Sequence, residues 1–483
     1  MTANRIYQWA CSQPESPALF WNDKPLNYAT FWRMIEAARG YFASQNLPIG
    51  GTAIIVIVNL VDIWVMVMAL RLIGLNTISV KSIEDAEALN IKNPACLVLS
   101  QHESQQFKLD GKVLAGVKTI VIPPAVFANT HFGEPIFNQQ NNIPIGGHIL
   151  YSSGTTGTNK KIMISGSSQE RRDSFRTQSR SLDRYTVQHV VDFPLWTGMG
   201  FNQPSAVWHA GGCVVFDQRL DRFSHFFRQR ITCATLVPTM LKALLNVSGD
   251  AASPAYEFSL TIIAGFLSLE HAEHAARQLT KKIEILYSAT ELGNYALHSY
   301  FKGLDDLHWM MPGNGRTVQI VDEDGIESPI GQEGELRVLL TDIDSMTYLD
   351  DDETSTKFFR DGFFYPRDLA VKRTDGRIRI LGRTADVLNV HGNKFAVAPL
   401  EAKIQQQLGV DEVCLFAGLS DHGLDELVIV IESDRDLPKF NLAEVQREFS
   451  SFERVRFVVL KAFPRVESGM RKVQRAALRK LIC

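Results

Sequence analysis

Apolar residues follow several distinct rhythms along this chain. From Ala53 to Leu75 they form one long run, AIIVIVNLVDIWVMVMALRLIGL, interrupted by Asn59, Asp62 and Arg71. Its length mimics a membrane span, but each of those polar residues would be costly in lipid. The first six residues read instead as a buried strand, and the rest as a core helix ended by Gly74. The runs TAIIVIVN, NTISV, ACLVLS and KTIVIP are strand-like, and SIEDAEALNI is a connecting helix. This alternation predicts an α/β unit with parallel, buried strands. A second such unit spans about 185 to 290, with GGCVVF, ITCATLVPTMLKALLNV, LTIIAGF and KIEILYSATE. Beyond residue 310 the style changes. RTVQIVDEDGIESPIGQEGELRVLL and GFFYPRDLAVKRTDGRIRILGR read as strands joined by Gly and Asp turns. From about 384 a small unit follows, built from APLEAKIQQQLGV, EVCLFAGLS, ELVIVIES, LAEVQREFS and RVRFVVLKAF. The expected fold is α/β: a large N-terminal region of two α/β subdomains plus a small β-rich subdomain, then a small α+β C-terminal domain. The charged GRTAD segment, residues 382–386, is the candidate linker, giving domains 1–383 and 384–483.

Composition narrows the class. A chain of 483 residues with 45% hydrophobic content is too long for one ordinary core, so several domains are expected. A net charge of -3 gives no sign of a nucleic-acid partner. The six cysteines are scattered without a C-x-x-C pair, which fits free thiols in a reducing, cytoplasmic setting and gives no zinc-ligand spacing. The amino terminus has no secretory profile.

The candidate chemistry starts at YSSGTTGTNKKIM, residues 151–163. Gly154, Gly157 and the small residues between them can turn backbone N–H groups toward an anion. Ser152, Ser153, Thr155, Thr156 and Thr158 add hydroxyls, and Lys160 or Lys161 can neutralise phosphate charge. Neither a Walker A loop nor a dinucleotide G-x-G-x-x-G is present. A flexible polar surface loop has the same composition, so the segment alone leaves both readings open.

Four stretches in order decide the matter. SSGTTGTNKK resembles the [ST]-S-G-[ST]-T-G-x-P-K-G signature of the adenylate-forming superfamily, departing at Asn159 and Lys161. That superfamily includes acyl- and aryl-CoA synthetases, peptide-synthetase adenylation domains and beetle luciferase. YSATE matches Y-G-x-T-E through Tyr287, Thr290 and Glu291. YPRDLA keeps Asp368 of the x-G-D motif but has Arg367 at its glycine. GRTADVLNVHGNK matches the G-R-x-x-D linker and glycine loop through Gly382, Arg383, Asp386, Gly392 and Lys394. The resemblance covers nearly the whole chain and points to a free-standing acyl- or aryl-acid-activating member.

The resemblance implies roles. Thr155, Thr156 and Lys160 embrace the β- and γ-phosphates of ATP. Tyr287 lies against adenine beside Ala264, Gly265 and Phe266. Thr290 touches the α-phosphate region, Glu291 helps hold Mg²⁺, and Asp368 accepts from the ribose hydroxyls with Arg383 nearby. Taken singly, Tyr287 could be a core aromatic and Asp368 a turn residue. The C-terminal domain is expected to be mobile about a hinge that falls on Ala385, where the family commonly has Asp or Lys. The terminal catalytic lysine of P-x-x-x-x-G-K-[VI]-x-R maps to Lys472 after a two-residue insertion, because Met470 follows Gly469. Arg471 is the alternative cation, and a plain basic terminal helix the structural one. Lys394 stands where many acyl-CoA synthetases place a phosphate-contacting basic residue.

The implied reaction joins a small carboxylic acid to AMP and then passes the acyl group on. PLWTGMG, residues 194–200, puts Thr197 at the usual histidine, Met199 at the usual tyrosine and Gly198 where amino-acid-activating members carry aspartate. An α-ammonium would then be buried without a counter-charge, favouring an acid without an α-amine. Trp196, Met199, Phe201 and Leu267, with Phe266, are expected to form an apolar acid pocket; ordinary core packing is the other reading of the same residues. Coenzyme A or the phosphopantetheine of a separate carrier protein is the expected acceptor, an amine the alternative, and a degenerate nucleotide-binding scaffold the rival without chemistry.

Overall fold

The long apolar run folds as its pattern dictates. Thr52–Val56 is a strand buried at every position, and Leu60–Leu72 is a helix buried around nearly its whole circumference. Asn59 caps that helix by accepting from the N–H groups of Val61 and Asp62, at 2.9 and 3.2 Å. Asp62 lies in the first turn and Arg71 in the last, each complementing the helix dipole. Gly74, with φ of +87°, ends it. The Arg71 guanidinium is fully buried yet partnered, donating to the Gly146 carbonyl at 2.7 Å and to Gln169 Oε1 at 2.5 Å. Among the described residues no helix is long and apolar enough to cross a membrane.

The computed structural model describes residues 2–106, 114, 116–124, 126, 144–152, 160–190, 193–216, 228–248, 256–265, 267–384, 387–390, 393–419, 425–434, 439–449, 454–465 and 473–482. Two large sheets carry the α/β region. A six-stranded sheet places Thr52–Val56 between Pro94–Ser100 and Asn76–Ser79, with His148–Ser152 and Lys160–Ile164 at one edge. A nine-stranded sheet contains the parallel strands Val187–Val190, Cys213–Phe216, Cys233–Leu236, Ser259–Ile263 and Ile283–Tyr287. A third, antiparallel sheet is built around Glu333–Leu339, Asp368–Lys372 and Ile378–Arg383. The C-terminal part has its own three-stranded sheet, Glu412–Leu419, Asp425–Glu432 and Arg454–Leu460, packed with the helices Val397–Leu408 and Lys439–Glu448. The architecture is therefore the large α/β region and smaller α+β domain that the sequence pattern implies. Lys242 of the large region pairs with Asp411 of the small one.

The main core is aromatic. Trp64 stacks on Phe201 with ring centroids 5.4 Å apart, and Phe201 stacks on His148 at 4.3 Å. Burial, with Arg71 adding to it, pushes the His148 pKa down to about 3, so the ring is neutral. Phe201 is wholly buried in this stack. The core-packing reading therefore holds for Phe201, because its helix turns that face inward.

Backbone crowding fixes one glycine. A Cβ at Gly200 would lie 2.1 Å from the Pro194 carbonyl oxygen and 2.4 Å from that of Phe193. A Cβ at Gly40, inside the helix Tyr28–Ala43, would meet nothing within 4 Å. Gly200→Ala is expected to lower unfolding stability by about 2–3 kcal/mol. Gly40→Ala is expected to raise it by about 0.5–1 kcal/mol. Urea denaturation of both variants checks the opposite signs.

Candidate active site

The candidate nucleotide residues gather at one end of the nine-stranded sheet. Ser259–Ile263 and Ile283–Tyr287 run parallel in register, so Ala264–Gly265 and Tyr287–Ser288 emerge side by side. Open parallel sheets bind ligands at such strand ends. The Tyr287 hydroxyl donates to Asp368 Oδ2. On the neighbouring sheet Asp368 and Arg383 are directly opposed, and Arg383 Nε reaches Asp368 Oδ1 at 3.0 Å. Arg383 also donates to the Pro366 carbonyl at 2.8 Å. Asp368 is buried. Burial, then Asp368, drives the Tyr287 pKa well up, so the phenol stays a donor.

Glu291 lies beside this group and is 7% exposed. Its carboxylate accepts from the Tyr348 hydroxyl at 2.6 Å. Among the described residues no cation comes within ion-pair distance of it. The backbone around it is fixed by a facing segment. The Glu291 carbonyl accepts from Ser345 N at 2.8 Å, and Gly293 N donates to Asp344 Oδ1 at 2.7 Å. Asp344 is gripped by both terminal nitrogens of Arg316, at 2.5 and 2.8 Å. Arg172, buried in the helix Gly166–Ser179, donates to the Ile343 carbonyl at 2.6 Å and to Ser345 Oγ at 3.1 Å. Among the described residues no group of three or more His, Cys, Asp or Glu side chains could hold a metal ion alone. A single acidic ligand suits Mg²⁺ whose remaining oxygens come from phosphate and water.

Lys160 and Lys161 point to different tasks. The Lys160 ammonium lies 3.2 Å from the Phe358 ring centroid and 5.3 Å from that of Tyr348. Burial lowers its pKa and Arg383 adds to the shift, while Glu291 opposes it. Lys161 turns the other way, donating to the carbonyls of Leu89 and Asn90 at 3.0 and 3.4 Å and approaching Asp350 at 3.8 Å. Adjacent strand residues face opposite sides of a sheet, which separates the two ammonium groups.

The residues expected at the acid divide as well. Thr197 caps the helix Gly198–Ala210: its hydroxyl accepts from Gly200 N at 3.1 Å and donates to the Pro194 carbonyl at 2.7 Å. Trp196 is partly exposed and stacks on Tyr151 at 5.9 Å with a 12° interplanar angle. A Cβ at Gly198 would lie 3.6 Å from Thr290 Cα, so Gly198 and Thr290 are neighbours. Met199 packs against the main core and is partly buried, whereas Leu267 is buried in the second core. Gly265 is exposed, near Pro238.

Residues Ser153, Gly154, Thr155, Thr156, Gly157, Phe266, Ala385, Arg471 and Lys472 lie outside the described residues, as do the side chains of Ser152 and Lys394. The sequence reading missed Tyr348, Phe358, Asp344, Arg316 and Arg172. Tyr348 and Glu291 are 57 positions apart, and Arg316 and Asp344 are 28 apart. Nothing local in the sequence marks such partners.

The profile of the family described as AMP-binding enzyme matches residues 6–339. Over 426 residues the chain is 24% identical to pseudomonine synthase of Pseudomonas entomophila, spanning 81% of this chain and 68% of that protein. It is 26% identical over 309 residues to the vibriobactin-specific 2,3-dihydroxybenzoate-AMP ligase of Vibrio cholerae, spanning 60% of this chain and 55% of that one. Among solved structures, o-succinylbenzoate coenzyme A synthetase from Bacillus subtilis, in complex with ATP and magnesium ion, superposes with a TM-score of 0.78 over 99% of both chains at 18% identity. Amide bond synthetase from Marinactinospora thermotolerans gives 0.79 over 100% of this chain and 99% of that one, at 16% identity. The family match spans more than half the chain and agrees with the fold and the gathered motif residues, and the protein belongs to the AMP-binding enzyme family of the adenylate-forming superfamily.

Proposed function

We propose that this enzyme activates a carboxylic acid as its acyl-adenylate with release of pyrophosphate, then transfers the acyl group to a thiol. The thiol is coenzyme A or the phosphopantetheine of a carrier protein. Residues 1–383 bind nucleotide and acid, and residues 384–483 close over them. The observation carrying this reading is the gathering of Lys160, Tyr287, Asp368 and Arg383 near Glu291, a buried carboxylate with no cation within ion-pair distance among the described residues. Such a carboxylate is costly until a cation meets it.

In the activation step a carboxylate oxygen attacks the α-phosphorus of ATP. The bond from that phosphorus to the bridging oxygen breaks, and pyrophosphate leaves. The protein supplies alignment and charge neutralisation rather than covalent help. Lys160 and the segment from Ser152 to Gly157 hold the outer phosphates. Thr290 meets the α-phosphate, and Lys472 neutralises it as it gains an oxygen. Asp368 and Arg383 hold the ribose, with Tyr287, Gly265 and Phe266 at the adenine. Glu291 would hold Mg²⁺, which would supply positive charge to the phosphate oxygens. Ala385 is the hinge, and Lys394 meets phosphate when the lid turns. Trp196, Gly198 and Met199 border the acid. Thr197 to Asn202 contain no carboxylate, which supports an acid without an α-amine.

Pyrophosphate release across a library of acids, with and without coenzyme A, tests the reading directly. Acid-dependent release and acid-stimulated pyrophosphate exchange are expected. Nucleotide binding without exchange would establish the scaffold reading instead, and release of an amide with an added amine would reassign the acceptor.

Lys472→Ala is expected to slow adenylate formation by about 10²–10³-fold while ATP affinity stays within about threefold. Normal adenylation by that variant, together with failure of Arg471→Ala, would transfer the role to Arg471.

Tyr348→Phe removes the hydroxyl that donates to Glu291. The Mg²⁺ concentration giving half-maximal pyrophosphate release should rise by about tenfold, as for a lost hydrogen bond to a charged group. A Mg²⁺ titration of the wild type, Tyr348→Phe and Glu291→Gln checks this, with the two variants shifting in the same direction.

A further inference from the structure

Two chain segments meet beside Glu291, and an ion pair is buried in their junction. The side chains of Arg316 and Asp344 are 2% and 0% exposed. Arg316 donates from both terminal nitrogens to Asp344, at 2.5 and 2.8 Å, and from one of them to the Asn294 carbonyl at 3.2 Å. Asp344 also accepts from Gly293 N at 2.7 Å, and from the N–H and the hydroxyl of Thr341, both at 2.8 Å. Both side chains therefore act on the backbone just past Glu291 rather than on its carboxylate.

A pair so placed is a weak device for stability. The cost of desolvating two charges offsets most of their attraction, and apolar residues of similar volume often serve a fold as well. Such a pair can instead specify one register between the segments it joins. The register at stake here is that of Glu291 against Tyr348. Ser345 N donates to the Glu291 carbonyl at 2.8 Å, and the Tyr348 hydroxyl, from the same segment, donates to the Glu291 carboxylate at 2.6 Å. Gly293 lets the segments touch, since a Cβ there would lie 2.2 Å from the Ile343 carbonyl oxygen. A slip of Asp344 against Gly293 would carry Tyr348 away from the carboxylate it meets.

We propose that Arg316 and Asp344 are positioning residues for the metal-bound nucleotide: as a buried pair they set the Glu291 carboxylate where Mg²⁺ on the phosphates meets it. This rests on the proposed assignment of Glu291 to Mg²⁺.

Isothermal titration with ATP, in excess Mg²⁺ and again in EDTA, separates this role from a structural one, with thermal melting to report folding. The double variant Arg316→Met/Asp344→Asn removes both buried charges of the pair and keeps an amide oxygen for Gly293 N. It should bind Mg·ATP about 5- to 10-fold more weakly, the scale of one net hydrogen bond, with metal-free ATP affinity within about twofold. Arg316→Lys keeps the charge but loses the fork that spans Asp344 and Asn294, and its Mg·ATP affinity should lie between the wild type and the double variant. That variant carries the test alone if the double variant does not fold. Unchanged Mg·ATP affinity in the folded variants, or equal losses with and without Mg²⁺, would overturn the proposal. Glu291→Gln is the control for the underlying assignment. Wild-type Mg·ATP affinity in that variant would remove the metal role of Glu291, and the positioning role with it; a loss there with the pair variants unchanged would remove the positioning role alone.

Discussion

The site depends on one buried carboxylate and the segment that aims it. Glu291 has a hydroxyl donor in Tyr348 and no cation within ion-pair reach among the described residues. An ionised group in that setting is poorly solvated, and it is stabilised when a cation arrives. Its direction is not left to its own torsions. The chain from Glu291 to Asn294 is bonded to residues 344–345 directly and through Arg316, and Tyr348 then reaches the side chain. Gly293 permits the contact, since a Cβ there would lie 2.2 Å from the Ile343 carbonyl oxygen. In the proposed role, a carboxylate held this way would need little reorganisation when a cation binds.

Much of this was legible in the chain because the deciding signals are local. A run of apolar residues ended by Gly74 reads as a strand followed by a helix, and the strand Thr52–Val56 and helix Leu60–Leu72 fall within about two residues of those bounds. Alternation and turn residues gave the sheet containing Asp368–Lys372 and Ile378–Arg383. The motif order brought Tyr287, Asp368 and Arg383 together, as their contacts confirm. What stayed hidden is what tertiary pairing decides. Trp196, Met199 and Phe201 share an apolar stretch, yet Trp196 is partly exposed while Phe201 is stacked between Trp64 and His148. Helix rotation sorts such neighbours, and composition does not record it. The polar helix Gly166–Ser179 buries Gln169, Arg172 and Asp173, which its sequence would assign to solvent.

The departures from the superfamily pattern are absorbed in different ways. Lys161, in a glycine position, becomes a strut between its strand and the Leu89–Asn90 carbonyls. Arg367, also in a glycine position, keeps the glycine backbone and bears strain. Thr197, in a histidine position, satisfies the first turn of the helix Gly198–Ala210. Substitution type alone would treat all three as losses.

The acid side follows the same logic. The Thr197 hydroxyl is committed to Gly200 N and the Pro194 carbonyl, and the Asn202 amide to the Gly198 carbonyl at 2.7 Å. These bonds hold the first turn rigid, and Gly200 lets that turn press against the Phe193 and Pro194 carbonyls. Gly198 is thereby held beside Thr290, where a side chain would make van der Waals contact 3.6 Å from Cα and Cγ2. On the proposed assignment of Thr290 to the α-phosphate, a larger residue at 198 would occupy the space next to that phosphate. The missing side chain would then do two things: leave room for the acid's carboxyl group, and leave an incoming ammonium without a counter-charge from this turn. Discrimination against amino acids on this side of the site would then come from a charge the chain withholds rather than from one it presents.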